Sequence, residues 1–143
     1  MPFMARILAI DYGSKRVGLA VTDPLQIIAT ALTTVGSHEV IAYLRDYISK
    51  EPVECIVVGE AKNLDGTPAE SAPLIQSFVK GLKKNFPAIP VELEDERFTS
   101  KMAFQSMIDS GMSKSKRRDK KMVDKISAVI ILQSYLERRS NLL

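Results

Sequence analysis

Tryptophan is missing from this 143-residue chain, and cysteine and histidine occur once each, as Cys55 and His38. A single cysteine excludes an internal disulfide, and His38 has no second histidine with which to share a metal. No apolar run approaches the ~20 residues that a membrane span requires. The N-terminal stretch Met1 to Arg6 has no charged segment followed by a long apolar core, so no signal peptide is expected. These absences predict a cytoplasmic protein with no membrane contact. Cys55 lies in Glu54-Cys55-Ile56-Val57-Val58-Gly59, where a small buried hydrophobe is expected rather than a nucleophile.

Hydrophobic residues make up 45% and charged residues 26%, the balance of an ordinary globular domain. The length suits a single domain over residues 1–143 with a real core. The net charge is only +3, but it is unevenly placed. Lys114, Lys116, Arg117, Arg118, Lys120 and Lys121 face one acid, Asp119, and the rest of the chain is net acidic. Local basicity of this kind suits a polyanion site; a solvated loop without a ligand is the plainer alternative.

The chain is organised around its first apolar runs. Ile7-Leu8-Ala9-Ile10 is too short for a helix and rich in β-formers, so it predicts a buried strand. It ends in Asp11, turns at Gly13 and returns as Val17 to Val21, with Gly18 allowing a close approach or a bulge. Residues 28–35 predict a third strand. Ser37 is placed to cap a helix bearing Val40, Ile41, Leu44, Tyr47 and Ile48. His38 reads as a surface residue. A parallel strand then ends at Gly59, and a helix covers about 73–86. A strand over 91–95 follows, and then a helix carrying Met102, Phe104, Met107 and Ile108. A largely buried helix runs from about Met122 to Arg138. The fold class expected is α/β, with a mixed five-stranded sheet. An antiparallel three-strand meander joins two parallel strands, and helices flank the sheet.

This topology brings the carboxyl ends of parallel strands together, where open α/β sheets place their sites. Asp11 ends the first strand, and Asp95 and Glu96 end the last. Asp124 begins the terminal helix, where an acid also meets the helix dipole favourably. Carboxylates crowded at one place repel unless a cation neutralises them. Hard oxygen ligands favour Mg2+ or Mn2+ over zinc. Two such ions about 4 Å apart activate a water and stabilise the leaving oxygen of a phosphodiester. With a basic segment beside it, the cluster suggests hydrolysis of nucleic acid.

Four blocks then resemble the signatures of the YqgF/RuvX family. Asp11-Tyr12-Gly13-Ser14-Lys15-Arg16-Val17-Gly18-Leu19-Ala20 resembles D-x-G-x-x-R-[IV]-G-x-A. Val57-Val58-Gly59 with Asn63, Asp65, Gly66 and Thr67 resembles the second block, and Asp95-Glu96-Arg97-Phe98-Thr99-Ser100 the third. Asp124, Ala128, Leu132, Gln133 and Leu136 resemble the final helix. The resemblance spans nearly the whole chain. One departure is Gly59-Glu60-Ala61, where the family usually has Gly-x-Pro.

The resemblance implies an RNase H-like nuclease domain related to Holliday-junction resolvases. It also implies a role in maturing the 5′ end of pre-16S rRNA. By the same resemblance, Asp11, Glu96 and Asp124 are metal-binding catalytic acids. Asp95 is the alternative inner ligand at its position, because strand alternation turns only one of the pair inward. Arg16 and Arg97 either bind phosphate or pair with these acids. Thr99 is expected to cap the helix that follows.

The implied partners are structured RNA, branched DNA and ribosomal precursor particles; the oligomeric state is left open. A Holliday-junction resolvase acting on DNA uses the same acids. A non-catalytic RNA-binding assembly factor is a second class, since fold does not imply function. An actin-like or sugar-kinase ATPase shares an Asp-x-Gly hairpin, but it needs a second glycine-rich hairpin and a second domain.

Overall fold

The computed structural model describes residues 5–60, 65, 70–96, 99–113 and 119–141. The strands are β1 (Arg6–Tyr12), β2 (Arg16–Thr22), β3 (Ala29–Gly36), β4 (Val53–Glu60) and β5 (Val91–Asp95). The helices are α1 (Val40–Lys50), α2 (Ala72–Asn85), α3 (Thr99–Asp109) and α4 (Lys120–Asn141). The strands form one sheet in the order β3-β2-β1-β4-β5. Strands β1, β2 and β3 are antiparallel neighbours, while β4 runs parallel to β1 and β5 parallel to β4. The expected mixed sheet is therefore present, element for element.

Period-two alternation divides the strand residues between two cores. Leu8, Ile10, Val17, Leu19, Val21, Ile56 and Val58 pack against Val40 and Leu44 of α1 and Ile75, Phe78 and Leu82 of α2. On the other face Ile7, Ala9, Ala20, Cys55 and Val57 pack against Ala128, Ile131, Leu132 and Tyr135 of α4. The central strands are covered on both sides, which explains their near-continuous apolar runs. Each fully buried Leu or Ile contributes about 1.5–3 kcal/mol. Three of the residues beneath α4, Ala9, Ala20 and Cys55, are small, which suits a helix lying close to the sheet. Tyr12 stacks on Phe78 of α2, with ring centroids 4.1 Å apart. That contact fixes the end of β1 and, by alternation, turns the preceding Asp11 towards α4.

Two local expectations are corrected. Ser37 does not cap α1; the N-cap is Glu39, with no side-chain hydrogen bond. The Ser37 hydroxyl donates instead to the Ser14 carbonyl at 2.7 Å and ties β3 to the β1–β2 turn. The terminal helix begins at Lys120, two residues earlier than its apolar pattern suggests. Its first turn is held by Asp119, whose carboxylate accepts from the Lys121 amide at 3.0 Å. Asp124 thus lies in the second turn, and its place is set by packing more than by the helix dipole. His38 is exposed, as expected. Among the described residues, no helix is long and apolar enough to cross a membrane.

Candidate active site

Asp11 sits on the α4 face of β1 between two glycines. Gly18 is its partner on β2. Gly59 follows the Ile10–Val58 pair along β4. Neither strand places a side chain beside Asp11, and each gap admits another acid.

At Gly59 the gap admits Glu96. A Cβ there would lie 2.5 Å from Glu96 Oε2 and 2.7 Å from Ile131 Cδ1. Glu96 follows β5, and its amide donates to the Glu60 carbonyl at 3.2 Å. Its side chain reaches over β4 and hydrogen-bonds the Asp11 carboxylate. Both acids are raised above the ordinary carboxylate range, first because burial penalises their charged forms. The charge of Asp11 raises Glu96 further, and that of Asp124 raises Asp11. Their shared hydrogen bond raises Glu96 and lowers Asp11, the sense expected when Glu96 donates and Asp11 accepts.

At Gly18 the gap admits α4. A Cβ there would collide with the Asp124 carbonyl and lie 3.1 Å from the Asp124 Cβ. The expectation that Gly18 permits a close approach is met, and the approaching element is the terminal helix. Thr34, the β3 partner of Gly18, donates its hydroxyl to the Lys121 carbonyl at 2.7 Å and secures the same end of α4. Arg16 stands two residues before Gly18 on the same face of β2. Its Nε donates to Asp124 Oδ2 at 2.9 Å. Of the two roles open to Arg16, pairing with an acid is the one observed.

Strand alternation also separates Asp95 from Glu96. On β5, Glu92 and Glu94 face α4: Glu92 accepts from the Tyr135 hydroxyl and Glu94 from Arg138 Nε at 2.7 Å. Asp95 turns the other way and is exposed, while Glu96 faces Asp11. Glu96 is thus the inner residue of the two, and the nearby charge of Asp95 raises it further. Lys120 and Lys121 are exposed at the start of α4. Arg97, Lys114, Lys116, Arg117 and Arg118 lie outside the described residues, as do Ala61, Asn63, Gly66 and Thr67 of the second block. Thr99 is the first residue of α3; its capping role rests on a side chain that also lies outside them.

Cys55 is buried against Glu92, and its thiol is pushed up to about 12, first by burial and then by that carboxylate. It is a free, buried cysteine, as its apolar setting suggested. The residue that sequence reading passed over is Gly59. Its signal was a glycine at the mouth of a buried strand, but the need for it comes from Glu96, 37 positions away in the chain.

The donor set is entirely carboxylate oxygen, and two of its members are half-buried and hydrogen-bonded to each other. That chemistry fits a hard divalent cation, which would replace the proton. Among the described residues, no group of three or more His, Cys, Asp or Glu side chains converges closely enough to hold a metal ion. Asp11 and Glu96 meet, and Asp124 is turned to Arg16.

Known proteins are similar to this chain in sequence and in fold. Residues 5–138 match the RuvX family model, described as Holliday junction resolvase. A Flavobacterium psychrophilum protein, provisionally assigned as a pre-16S rRNA nuclease, is 57% identical over 136 residues, covering 95% of this chain and 99% of its own. A Christiangramia forsetii protein with the same assignment is 59% identical over 133 residues, covering 93% and 98%. Among solved structures, Thermus thermophilus RuvC in complex with a Holliday junction substrate superposes with a TM-score of 0.55 over 95% of this chain and 96% of that one. At 14% identity that likeness is one of fold, and the fold is RNase H-like. The chain belongs to the RuvX family.

Proposed function

We propose that this protein is a divalent-cation-dependent nuclease that hydrolyses phosphodiester bonds in nucleic acid. We further propose that it matures the 5′ end of pre-16S rRNA within ribosomal precursor particles. The observation that carries the reading is the half-buried, hydrogen-bonded Asp11–Glu96 pair. Two carboxylates held together and partly shielded from water reduce stability unless a cation joins them. The names of relatives at 57% and 59% identity over almost their whole length support the RNA substrate.

Asp11, Glu96 and Asp124 are the residues that would hold Mg2+ or Mn2+, in a site of the two-ion type. The chemistry supplied there is Lewis acidity towards an attacking water and towards the leaving oxygen. The chain's own part is positioning. Gly59 and Gly18 allow Glu96 and α4 to approach Asp11. Lys120 and Lys121, with Arg97, Lys114, Lys116, Arg117 and Arg118, supply cations for the polyanion's phosphates.

The test is cleavage of a precursor 16S rRNA 5′ segment with Mn2+, comparing the intact chain with Asp11→Asn. That substitution keeps the shape and removes the charge. Cleavage by the intact chain and not by a folded variant that still binds RNA supports the reading. Equal cleavage by both places the activity elsewhere. Tight, salt-sensitive binding without cleavage by either would instead indicate a non-catalytic assembly factor. The family model's description as a resolvase makes a four-way DNA junction the second substrate in the same assay. Preference for the junction would assign the site to DNA.

A further inference from the structure

The nuclease reading leaves Arg16 without a part, and its position provides one. The Arg16–Asp124 bridge joins the start of β2 to the second turn of α4, 108 residues apart in the chain. Its partners do not meet as two free surface side chains. Gly18 seats the Asp124 backbone on the same strand that carries Arg16, and Thr34 fixes the helix end beside it. The Arg16 side chain is 36% exposed and that of Asp124 only 21%. The bridge is thus held by the fold and partly shielded, unlike a pair of fully exposed side chains. Asp124 is close enough for its charge to raise Asp11. Even so, three acids do not converge, because the third is turned to the guanidinium.

We propose that Arg16 stands in for a cation at Asp124, and that a nucleic-acid phosphate draws it away, so that phosphodiester and divalent ion enter the site cooperatively. This rests on the nuclease reading. A guanidinium fork recognises carboxylate and phosphate with the same geometry. In the free protein Arg16 neutralises Asp124, and a divalent ion must displace it to gain that oxygen. With a backbone phosphate in reach, Arg16 exchanges one anion for another. Asp124 is then left uncompensated, and the acids bind a divalent ion more tightly. Reciprocity requires the ion to tighten nucleic-acid binding by the same factor. The arrangement ties ion loading to the presence of substrate.

Two binding measurements on the full-length chain test this without reference to turnover. The first is Mn2+ affinity of the free protein, read from the free-ion EPR signal. Arg16→Gln is expected to bind Mn2+ several-fold more tightly than the intact chain. Arg16→Lys, which keeps the charge but loses the fork, is expected to fall between them. Lys15→Gln, which removes an exposed neighbouring charge, is expected to change little. The second is anisotropy of a 2′-O-methyl RNA oligonucleotide. Mn2+ is expected to tighten its binding to the intact chain, within the roughly 5–150-fold range usual for coupled sites. For a folded Arg16→Gln chain that tightening is expected to vanish. Mn2+ affinity unchanged or weakened in Arg16→Gln, or equal gains in Arg16→Gln and Lys15→Gln, would overturn the proposal. If Asp11→Asn binds Mn2+ as well as the intact chain does, the nuclease reading itself fails, and that result is distinct from the others.

Discussion

Gly18 and Asp124 are packed so closely that no side chain fits between the second strand and the backbone of the terminal helix. The contact decides where the third acid of the site stands. The obstacle to a larger residue is backbone, which cannot rotate away. Gly18→Ala is therefore expected to lift the start of α4 from the sheet and to cost about 1–3 kcal/mol. Thermal unfolding should show a Tm lower by roughly 3–12 °C, with the Arg16–Asp124 bridge lengthened in a crystal structure of the variant. An unchanged Tm would show that α4 is not held where it stands.

Gly59→Ala should act differently. There the added methyl meets the end of the Glu96 side chain and a terminal methyl of Ile131. Both can rotate, so the stability cost should stay below about 2 kcal/mol. Glu96 would be pushed from Asp11, and a misplacement near 1 Å can cost on the order of 100-fold in rate. Side-by-side measurement of Tm and of RNA cleavage separates the two effects. A variant that lost stability but kept its rate would remove Glu96 from the site.

Asp11→Asn should stabilise the ion-free protein. It replaces a half-buried acid pair by an amide that donates to the Glu96 carboxylate. In EDTA at pH 8 the Tm should rise by several degrees, because carboxylates held above their ordinary range cost stability at a pH where the unfolded chain would release their protons. In the intact chain, added Mn2+ should raise the Tm instead, and the variant should lose most of that response. Such an exchange of stability for function is usual where side chains are arranged for chemistry. A variant less stable than the intact chain in EDTA would show that the pair is not a source of strain.

The loop from Asp23 to Ile28 should confer a pH dependence of its own. The Asp23 carboxylate accepts from the amides of Ile28 at 2.7 Å, Ile27 at 2.8 Å and Leu25 at 3.2 Å. These bonds, that of Ile28 foremost, hold its pKa below the ordinary 3.8. A lowered folded value means that the unfolded chain takes up the proton first as acid is added. The contribution is complete above the ordinary value near 3.8 and is lost as pH falls through the lowered one. Asp23→Asn should therefore be less stable than the intact chain at neutral pH, with the gap narrowing below pH 3.8. A gap that stayed constant down to pH 2 would assign the effect to shape rather than charge.

The sequence by itself determined the elements, their order and the sheet. Ile7 to Ile10 and Cys55 to Val58 are apolar runs that only a strand covered on both faces can satisfy, and Leu74 to Leu82 repeat at the period of a helix. Handedness of the crossovers then placed Asp11 and Glu96 at the same edge. Periodicity could not say how those acids meet. Local pattern favoured Ser37 as a cap, but its hydroxyl serves a hairpin 23 residues back in the chain. Asp95 and Glu96 are adjacent letters, and only the facing of β5 towards α4 turned Glu96 inward. Likewise Arg16 was equally suited to a phosphate or a carboxylate until the helix brought Asp124 to it. These are contacts between residues far apart in the chain, set by how closely backbones can approach. Gly18 and Gly59 permit that approach, and the absence of a side chain carries no record in the sequence of which distant residue will use the space.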